Sequence, residues 1–286
     1  MKTGIVILNY NDYVTTKEII ERIRDYKTID LVVIVDNNST NDSYEILKKY
    51  ESDKIAIINS GENKGYSYGN NIGCKYLAEK GMDYIIVSNP DIIFREEDIT
   101  NLIKHFENPK IAVVSPTIIQ GKEIIKGWKF PSVLVDSLGN LKFAGKYFKK
   151  ILLYNKDCYL KEITKVDVIS GCFFIIKKEV LEKINYFDEN VFLYYEENIL
   201  AKKIEKEGLD IIVDNKVEII HNHSVTIDKI YNKIKKFKML TKSQRYYHKK
   251  YNNANIIGDL WLKFTAGISI FINYILQLGE IWKRKK

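Results

Sequence analysis

Three cysteines, Cys74, Cys158 and Cys172, are all that 286 residues carry. They are odd in number, far apart and in no C-x-x-C arrangement. That excludes a disulfide framework and a cysteine metal cage, and fits a reducing compartment. No apolar stretch runs uninterrupted for about 18 residues, so no membrane-spanning helix is expected. No signal peptide is expected either, because the apolar Gly4-Ile5-Val6-Ile7-Leu8 is short and meets polar Asn9-Tyr10-Asn11 at once. No G-x-G-x-x-G follows that run, which removes the main support for dinucleotide binding. No G-x-x-x-x-G-K-S/T occurs, which removes P-loop chemistry. Internal repeats and Gly/Ser linkers are missing too.

What is present is a chain 45% hydrophobic and 29% charged, too apolar for disorder and long enough for a large core. Its net charge of +8 points to an anionic partner. The surplus is uneven. Residues 228–286 hold 14 Lys or Arg against Asp228, Asp259 and Glu280, a net +11, which leaves residues 1–227 at −3. A nucleic-acid surface spread over the whole protein is therefore not expected.

Short β-branched runs at 4–8, 31–35, 54–59, 83–87 and 111–115 read as buried parallel strands. Helical segments lie between them near 16–26, 42–50, 68–80 and 96–107. This rhythm predicts an α/β sheet, doubly wound with right-handed crossovers. Residues 116–170 read as a less regular region over the binding crevice. Then come a strand at 172–176, helices at 178–184 and 196–207, the latter ended by Gly208, and strands at 210–213 and 217–220 closing at His221. The preferred division is one domain, 1–227, plus a basic helical extension, 228–286.

In such sheets ligands bind beyond the carboxyl ends of the strands. Those positions are unusually polar: Asn9-Tyr10-Asn11-Asp12, Asp36-Asn37-Asn38-Ser39-Thr40, Asn63-Lys64-Gly65 through Asn70-Asn71, and Ser88-Asn89-Pro90-Asp91. Turn chemistry alone accounts for any one of them. Four on one sheet edge build a polar crevice of nucleotide size. Gly65, Gly69 and Gly73 give either a small face for close helix packing or a turn that lets backbone approach a ligand. Asn89-Pro90-Asp91 presents two oxygen-bearing side chains across a rigid Pro, with Asp91 suited to Mg²⁺ or Mn²⁺ or else to capping the following helix. In Tyr194-Tyr195-Glu196-Glu197 the two acids either complement a helix dipole or act as a general base. His221 is either structural or a second ligand for the metal at Asp91.

The order of these segments resembles inverting family-2 glycosyltransferases with a GT-A fold (a Rossmann-like, mostly parallel sheet with flanking helices), in their bacterial rhamnosyltransferase-like branch. The matching pieces are Ile5 to Asn11, Val35 to Thr40, Asn63-Lys64-Gly65 to Gly73, Asn89-Pro90-Asp91, Ser170-Gly171-Cys172, Phe187 to Glu197, His221 to Ser224, and Ser243 to Tyr251 in the tail. The resemblance implies that Asp36 contacts the nucleobase of a nucleoside-diphosphate sugar. It places Asn9, Tyr10, Asn63, Gly65 and Asn70 in the nucleotide crevice, and Gly171 and Cys172 beside donor sugar and acceptor. Asn89 and Asp91 stand at the D-x-D-type metal motif, His221 reaches the metal or diphosphate, and Glu197 is the catalytic base, with Glu196 its neighbour. Three positions depart from the pattern: Asn89 replaces an acid, Asn41 stands where Asp is frequent, and Ile199 stands where another Asp is frequent.

The tail interleaves Lys with Tyr, from Lys229 and Tyr231 to Arg245-Tyr246-Tyr247-His248-Lys249-Lys250-Tyr251. That pattern fits single-stranded nucleic acid or an amphipathic helix on anionic lipid. The apolar 256–281 stretch followed by Lys283-Arg284-Lys285-Lys286 favours a membrane surface; packing on the body or in a homodimer is the plainer alternative, and nucleic acid ranks last. The expectation is therefore a cytoplasmic enzyme, peripheral on the inner face of the cell membrane. It moves a sugar, rhamnose by resemblance, from a dTDP- or UDP-linked donor to a glycan acceptor carried on a polyprenyl diphosphate. The alternatives are a nucleotidyltransferase and a non-catalytic sugar-nucleotide-binding or scaffold protein.

Overall fold

The computed structural model describes residues 1–141, 145–222 and 232–284. The first half alternates as read: β1 (Thr3–Asn9), α1 (Tyr13–Ile23), β2 (Leu31–Asp36), α2 (Ser43–Lys48), β3 (Ile55–Asn59), α3 (Tyr66–Glu79) and β4 (Tyr84–Ser88). A short β5 (Ile92–Ile93), α4 (Glu96–Lys104) and β6 (Ile111–Gln120) follow. The region expected to be irregular contains β7 (Glu123–Ile125), α5 (Val133–Gly139), α6 (Gly145–Ile151) and β8 (Ile163–Val166). Then come β9 (Phe173–Lys177), α7 (Lys178–Lys183), α8 (Glu196–Lys206), β10 (Asp210–His221), α9 (Lys233–Tyr251) and α10 (Ile256–Arg284).

All ten strands join one sheet, in the order β3-β2-β1-β4-β9-β6-β10-β5, with β7 on β6 and β8 on β10. β1 to β4 pair in parallel, as does β6 with β10. The expected mostly parallel sheet is present, and it is mixed because β9 runs antiparallel between β4 and β6. The two strands expected at 210–213 and 217–220 are one, with a bulge between Asp214 and Glu218. There the Asp214 carboxylate accepts from the Lys216 and Val217 amides, at 2.7 and 3.0 Å, and satisfies the interrupted ladder. The expected 227/228 boundary, together with His223, Ser224, Lys229 and Tyr231, lies outside the described residues.

Period-two alternation places Ile5 and Ile7 in one buried cluster and Val6 in the other, and likewise Val32 and Ile34 against Val33 and Val35. The first face is covered by Ile19, Ile20 and Ile23 of α1 with Ile99 and Leu102 of α4; the second by Cys74 and Leu77 of α3 with Leu200 and Ile204 of α8. Burial of each such side chain contributes about 1.5–3 kcal/mol. It is this two-sided cover that fixes the strand ends from which the loops project.

The spacing of Gly69 and Gly73 is a packing device. A Cβ at Gly73 would lie 3.1 Å from Val35 Cγ2 and overlap a Val6 methyl. Since Val6 and Val35 belong to neighbouring central strands, neither can yield. Gly73→Ala is expected to cost about 1–3 kcal/mol of stability by urea unfolding; an unchanged midpoint would show that α3 can lift off the sheet.

Candidate active site

A cavity of about 330 Å³ opens beyond the carboxyl ends of β1, β2 and β4. The loop after β1 lends it Tyr10 and Asp12, the β2 loop Asn37, the β3 loop Asn63 and Gly65, and the β4 loop Asn89, Pro90 and Asp91. Ser170, Gly171 and Cys172 come from the approach to β9. Phe192, Leu193 and Tyr194 precede α8, which opens with Glu196 and Glu197, and His221 ends β10.

Polar side chains brace the loops against one another. Asn37 Nδ2 donates to Asn63 Oδ1 at 3.1 Å and to the Gly65 carbonyl at 3.2 Å. Gly65 has φ +101°, and a Cβ there would strike the Phe192 backbone, while the Tyr66 amide donates to the Phe192 carbonyl at 2.9 Å. Only glycine allows this close approach of the α3 N-terminus to the segment before α8. The Tyr66 hydroxyl donates to the Gly171 carbonyl at 2.6 Å, and burial first, then the Glu196 charge, keeps it protonated. The Asn89 amide donates to the Cys172 carbonyl at 2.8 Å.

Tyr10, Asn63, Gly65, Asn89, Asp91, Gly171, Cys172, Glu196, Glu197 and His221 thus share one wall. Asn9, Asp36 and Asn70 lie beneath it, essentially without solvent contact. Asn9 Nδ2 donates to Asp36 Oδ2 at 2.7 Å, and Asp36 also accepts from the Ser39 amide and hydroxyl at 2.8 and 2.7 Å. Asp36 here shapes the loop that carries Asn37. Asn70 Nδ2 turns back to the Tyr66 carbonyl at 3.0 Å. Asp12, Asn37 and Tyr66 belong to the polar loops expected to build the crevice, without an individual role there; Ser170, Leu193 and Tyr194 stand only within the matching segments, and the structure adds all six to the cavity lining. Burial pushes the Cys172 thiol up to about 12, so it contributes a neutral polar surface.

Asp91 is not a helix cap. The N-cap of α4 is Arg95, whose amide donates to Asp98 Oδ2 at 2.7 Å. Asp91 Oδ1 instead lies 3.2 Å from His221 Nε2, while His221 Nδ1 is 3.1 Å from Gln120 Oε1. Among the described residues no group of three or more His, Cys, Asp or Glu side chains gathers around a metal position. One carboxylate and one imidazole braced through its second nitrogen nevertheless fit a divalent cation whose other positions go to substrate phosphates and water.

Glu196 and Glu197 do begin a helix, so the dipole reading is correct as far as it goes. Yet each has its Oε2 shielded from solvent and without a hydrogen-bond partner among the described residues. Burial pushes Glu197 up to about 7, and burial plus the Glu197 charge pushes Glu196 well above the carboxylate range.

The sequence of residues 4–185 matches the model of glycosyl transferase family 2. The chain belongs to that family. It is 31% identical over 225 residues to the low-salt glycan biosynthesis hexosyltransferase Agl10 of Haloferax volcanii, covering 78% of this chain and 67% of that one. Against the rhamnosyltransferase WbbL of Escherichia coli it is 26% identical over 213 residues, covering 72% and 76%. The mannosyltransferase PcManGT from Pyrobaculum calidifontis, solved with GDP-Man and Mn²⁺, superposes with a TM-score of 0.63 at 13% identity, covering 98% of this chain and 80% of that one. That likeness gives the GT-A fold.

In this family-2 glycosyltransferase the acid pair lies beyond the matched residues, so its chemistry is read from its burial. A carboxyl raised in the folded state binds its proton more tightly there than in the unfolded chain. Its contribution to stability is full below the unfolded value and is lost as pH rises through about 7. Glu197→Gln removes that loss. Relative to the wild type, the variant should gain about 2 kcal/mol between pH 5 and pH 8. Thermal midpoints at the two pH values check this; equal pH dependence in both proteins would contradict the raised carboxyl.

Proposed function

We propose that this protein is an inverting hexosyltransferase that moves a sugar from a UDP- or dTDP-linked donor to a glycan acceptor in surface-polysaccharide synthesis. The half-buried Glu196–Glu197 pair, each with one oxygen shielded from solvent, lines the same cavity as Asp91 and His221 and carries the reading. Rhamnose is the preferred donor sugar, supported by the likeness to WbbL. A non-catalytic binder would have no use for two adjacent glutamates that each hold one shielded, unpartnered oxygen at the cavity, and family membership sets a nucleotidyltransferase aside.

Glu197 in its ionised form accepts the proton of the acceptor hydroxyl as that oxygen bonds to the anomeric carbon. The bond to the diphosphate breaks on the opposite face, so the configuration inverts. A base titrating near 7 is matched to this task, strong enough to take the proton and ionised at working pH. Asn37 and Asn63, both in the cavity lining, offer side-chain amide contacts to the nucleotide. A divalent cation held by Asp91 and His221 would supply positive charge against the leaving diphosphate. Glu197→Gln should retain donor binding, read as a thermal shift with UDP- and dTDP-sugars and Mn²⁺, while turnover falls about 10²- to 10⁴-fold. Transfer at the wild-type rate would overturn the base assignment.

The acceptor in this reading is carried on a polyprenyl diphosphate, and α10 lies on the membrane face that presents it. Residues Ile256–Ile275 have a mean hydropathy of 1.3, enough by length and composition to cross a bilayer. Their inner face is fastened to the body: Leu262, Thr265 and Ser269 are buried, and the Ser269 hydroxyl donates to the Asn140 carbonyl at 2.6 Å. Leu260, Phe264, Phe271 and Ile275 are exposed on the other side, as an interfacial helix requires. Wild-type protein should sediment with phosphatidylglycerol vesicles, and the triple change of Leu260, Phe264 and Phe271 to Glu should release it. Retention of that variant, or a salt-independent dimer with no vesicle binding, would contradict the membrane reading.

A further inference from the structure

The turn that delivers the acid pair is conformationally costly. Tyr194 and Tyr195 have φ of 70° and 68°, left-handed values that cost bulky residues about 1–3 kcal/mol each. Such a turn persists only where its surroundings over-determine it. Here the surroundings belong to α9, outside the residues matched by the family model.

Helix α9 grips the preceding segment at three successive places. At Asp188, one carboxylate oxygen accepts from the Tyr246 and Tyr251 hydroxyls at 2.8 and 2.5 Å and from Lys250 Nζ at 3.1 Å. Burial opposes ionisation there, yet hydrogen bonds from Tyr251, Asn190 and Tyr246 hold the carboxyl well below its ordinary range. At Leu193, the backbone carbonyl accepts from the Ser243 hydroxyl at 2.8 Å. At Tyr195, the hydroxyl accepts from Gln244 Nε2 at 3.1 Å and donates to Asp136 Oδ2 of α5 at 2.5 Å. His248 of α9, with no solvent contact, pairs with the same Asp136 oxygen at 2.7 Å. The Tyr247 ring lies 5.4 Å from the Tyr195 ring and closes a small cluster with Val191 and Ile199. Ile199, one turn beyond the acids, thus has a packing duty where the family pattern frequently has Asp.

We propose that α9 is a positioning element for Glu196 and Glu197: it forces the left-handed Tyr194–Tyr195 turn and so sets where the two carboxylates enter the cavity. Tyr195, Ser243 and Asp136 are positioning residues; none of them touches the cavity. The basic extension is then part of the transferase unit: the inward side of the helix holds the body, Lys250 included, while Lys242 and Lys249 face outward. This rests on the family-2 transfer reading given above.

The experiment compares wild type with Tyr195→Phe, which removes one hydroxyl, and Ser243→Ala, which removes the Leu193 contact. Lys249→Ala, on the exposed side of α9, is the control. Turnover is measured with UDP-, GDP- and dTDP-hexoses and Mn²⁺, and hydrogen exchange without any donor. Tyr195→Phe should lower kcat about tenfold or more, and Ser243→Ala about three- to tenfold, with KM for the donor held within about twofold and Lys249→Ala like wild type. Amides of residues 193–199 should exchange about tenfold faster in Tyr195→Phe than in wild type. A merely structural role would lower the yield of folded protein and the thermal midpoint without this split between kcat and KM. Variants with kcat within about twofold of wild type, or a rise in KM that accounts for the whole loss, would overturn the proposal. Unchanged exchange in residues 193–199 would overturn it even with no donor identified. Wild-type protein silent on every donor would instead count against the transfer reading itself.

Discussion

The arrangement depends on the antiparallel strand at the centre of the sheet. β9 inserts between β4 and β6, and without it the strands β1 to β4 that open on the cavity would have no neighbour on that side. It satisfies both ladders at once, Ile175 pairing with Ile86 and with Val114. Its reversed direction carries Gly171 and Cys172, at its start, to the end of the sheet where β4 delivers Asn89 and Asp91. A parallel strand in that place would send the same residues to the opposite edge. The bond from the Asn89 amide to the Cys172 carbonyl locks the two loops at 2.8 Å. β6 and β10 then add His221 beside Asp91 from the far half of the sheet, 130 positions along the chain.

Around that frame the protein keeps two destabilising features in one place, the buried acid pair and the left-handed tyrosine turn before it. Neither helps the fold. A carboxylate oxygen shielded without a partner, as in Glu196 and Glu197, loses hydration, and a bulky residue at positive φ carries steric strain. Both persist because the neighbouring segments are held from several sides: Asn71 exchanges hydrogen bonds with the Phe187 backbone at 3.0 Å, and α9 holds Asp188, Leu193 and Tyr195. Strain and desolvation concentrated at one cavity wall are what a proton-accepting carboxylate near neutrality requires.

The parts legible in the sequence were those with a local cause. β1 to β4 appear because runs such as Ile5-Val6-Ile7 are buried on both faces and have a length that suits strands. The polar loops appear because strand ends and their residues are contiguous. Strand direction leaves no such mark, so β9 reads as one more strand and its antiparallel pairing is invisible. Asn9 and Asp36 stand in the polar loops, but nothing local shows that they bond to each other and turn from the cavity. The tail misled for the same reason. Tyr246, His248 and Tyr251 read as a solvent- or lipid-facing row, because their partners Asp188 and Asp136 are 58 to 112 residues away.

Charge distribution ties these observations together. A body of net −3 cannot draw a nucleoside diphosphate by its overall field, and the two acids at the cavity make the local field worse. Desolvation eases this conflict: both carboxyls are raised toward neutrality and so carry less negative charge at the cavity. Amides and the Asp91–His221 pair are left to deal with the anion. The lysines of the extension stand apart from the cavity, because α9 turns its tyrosines and histidine inward and leaves Lys242 and Lys249 exposed. One helix therefore has two electrostatic sides. Its inward side satisfies the body's buried aspartates with tyrosine hydroxyls, His248 and one lysine, Lys250, and its outward side carries exposed cations such as Lys242 and Lys249.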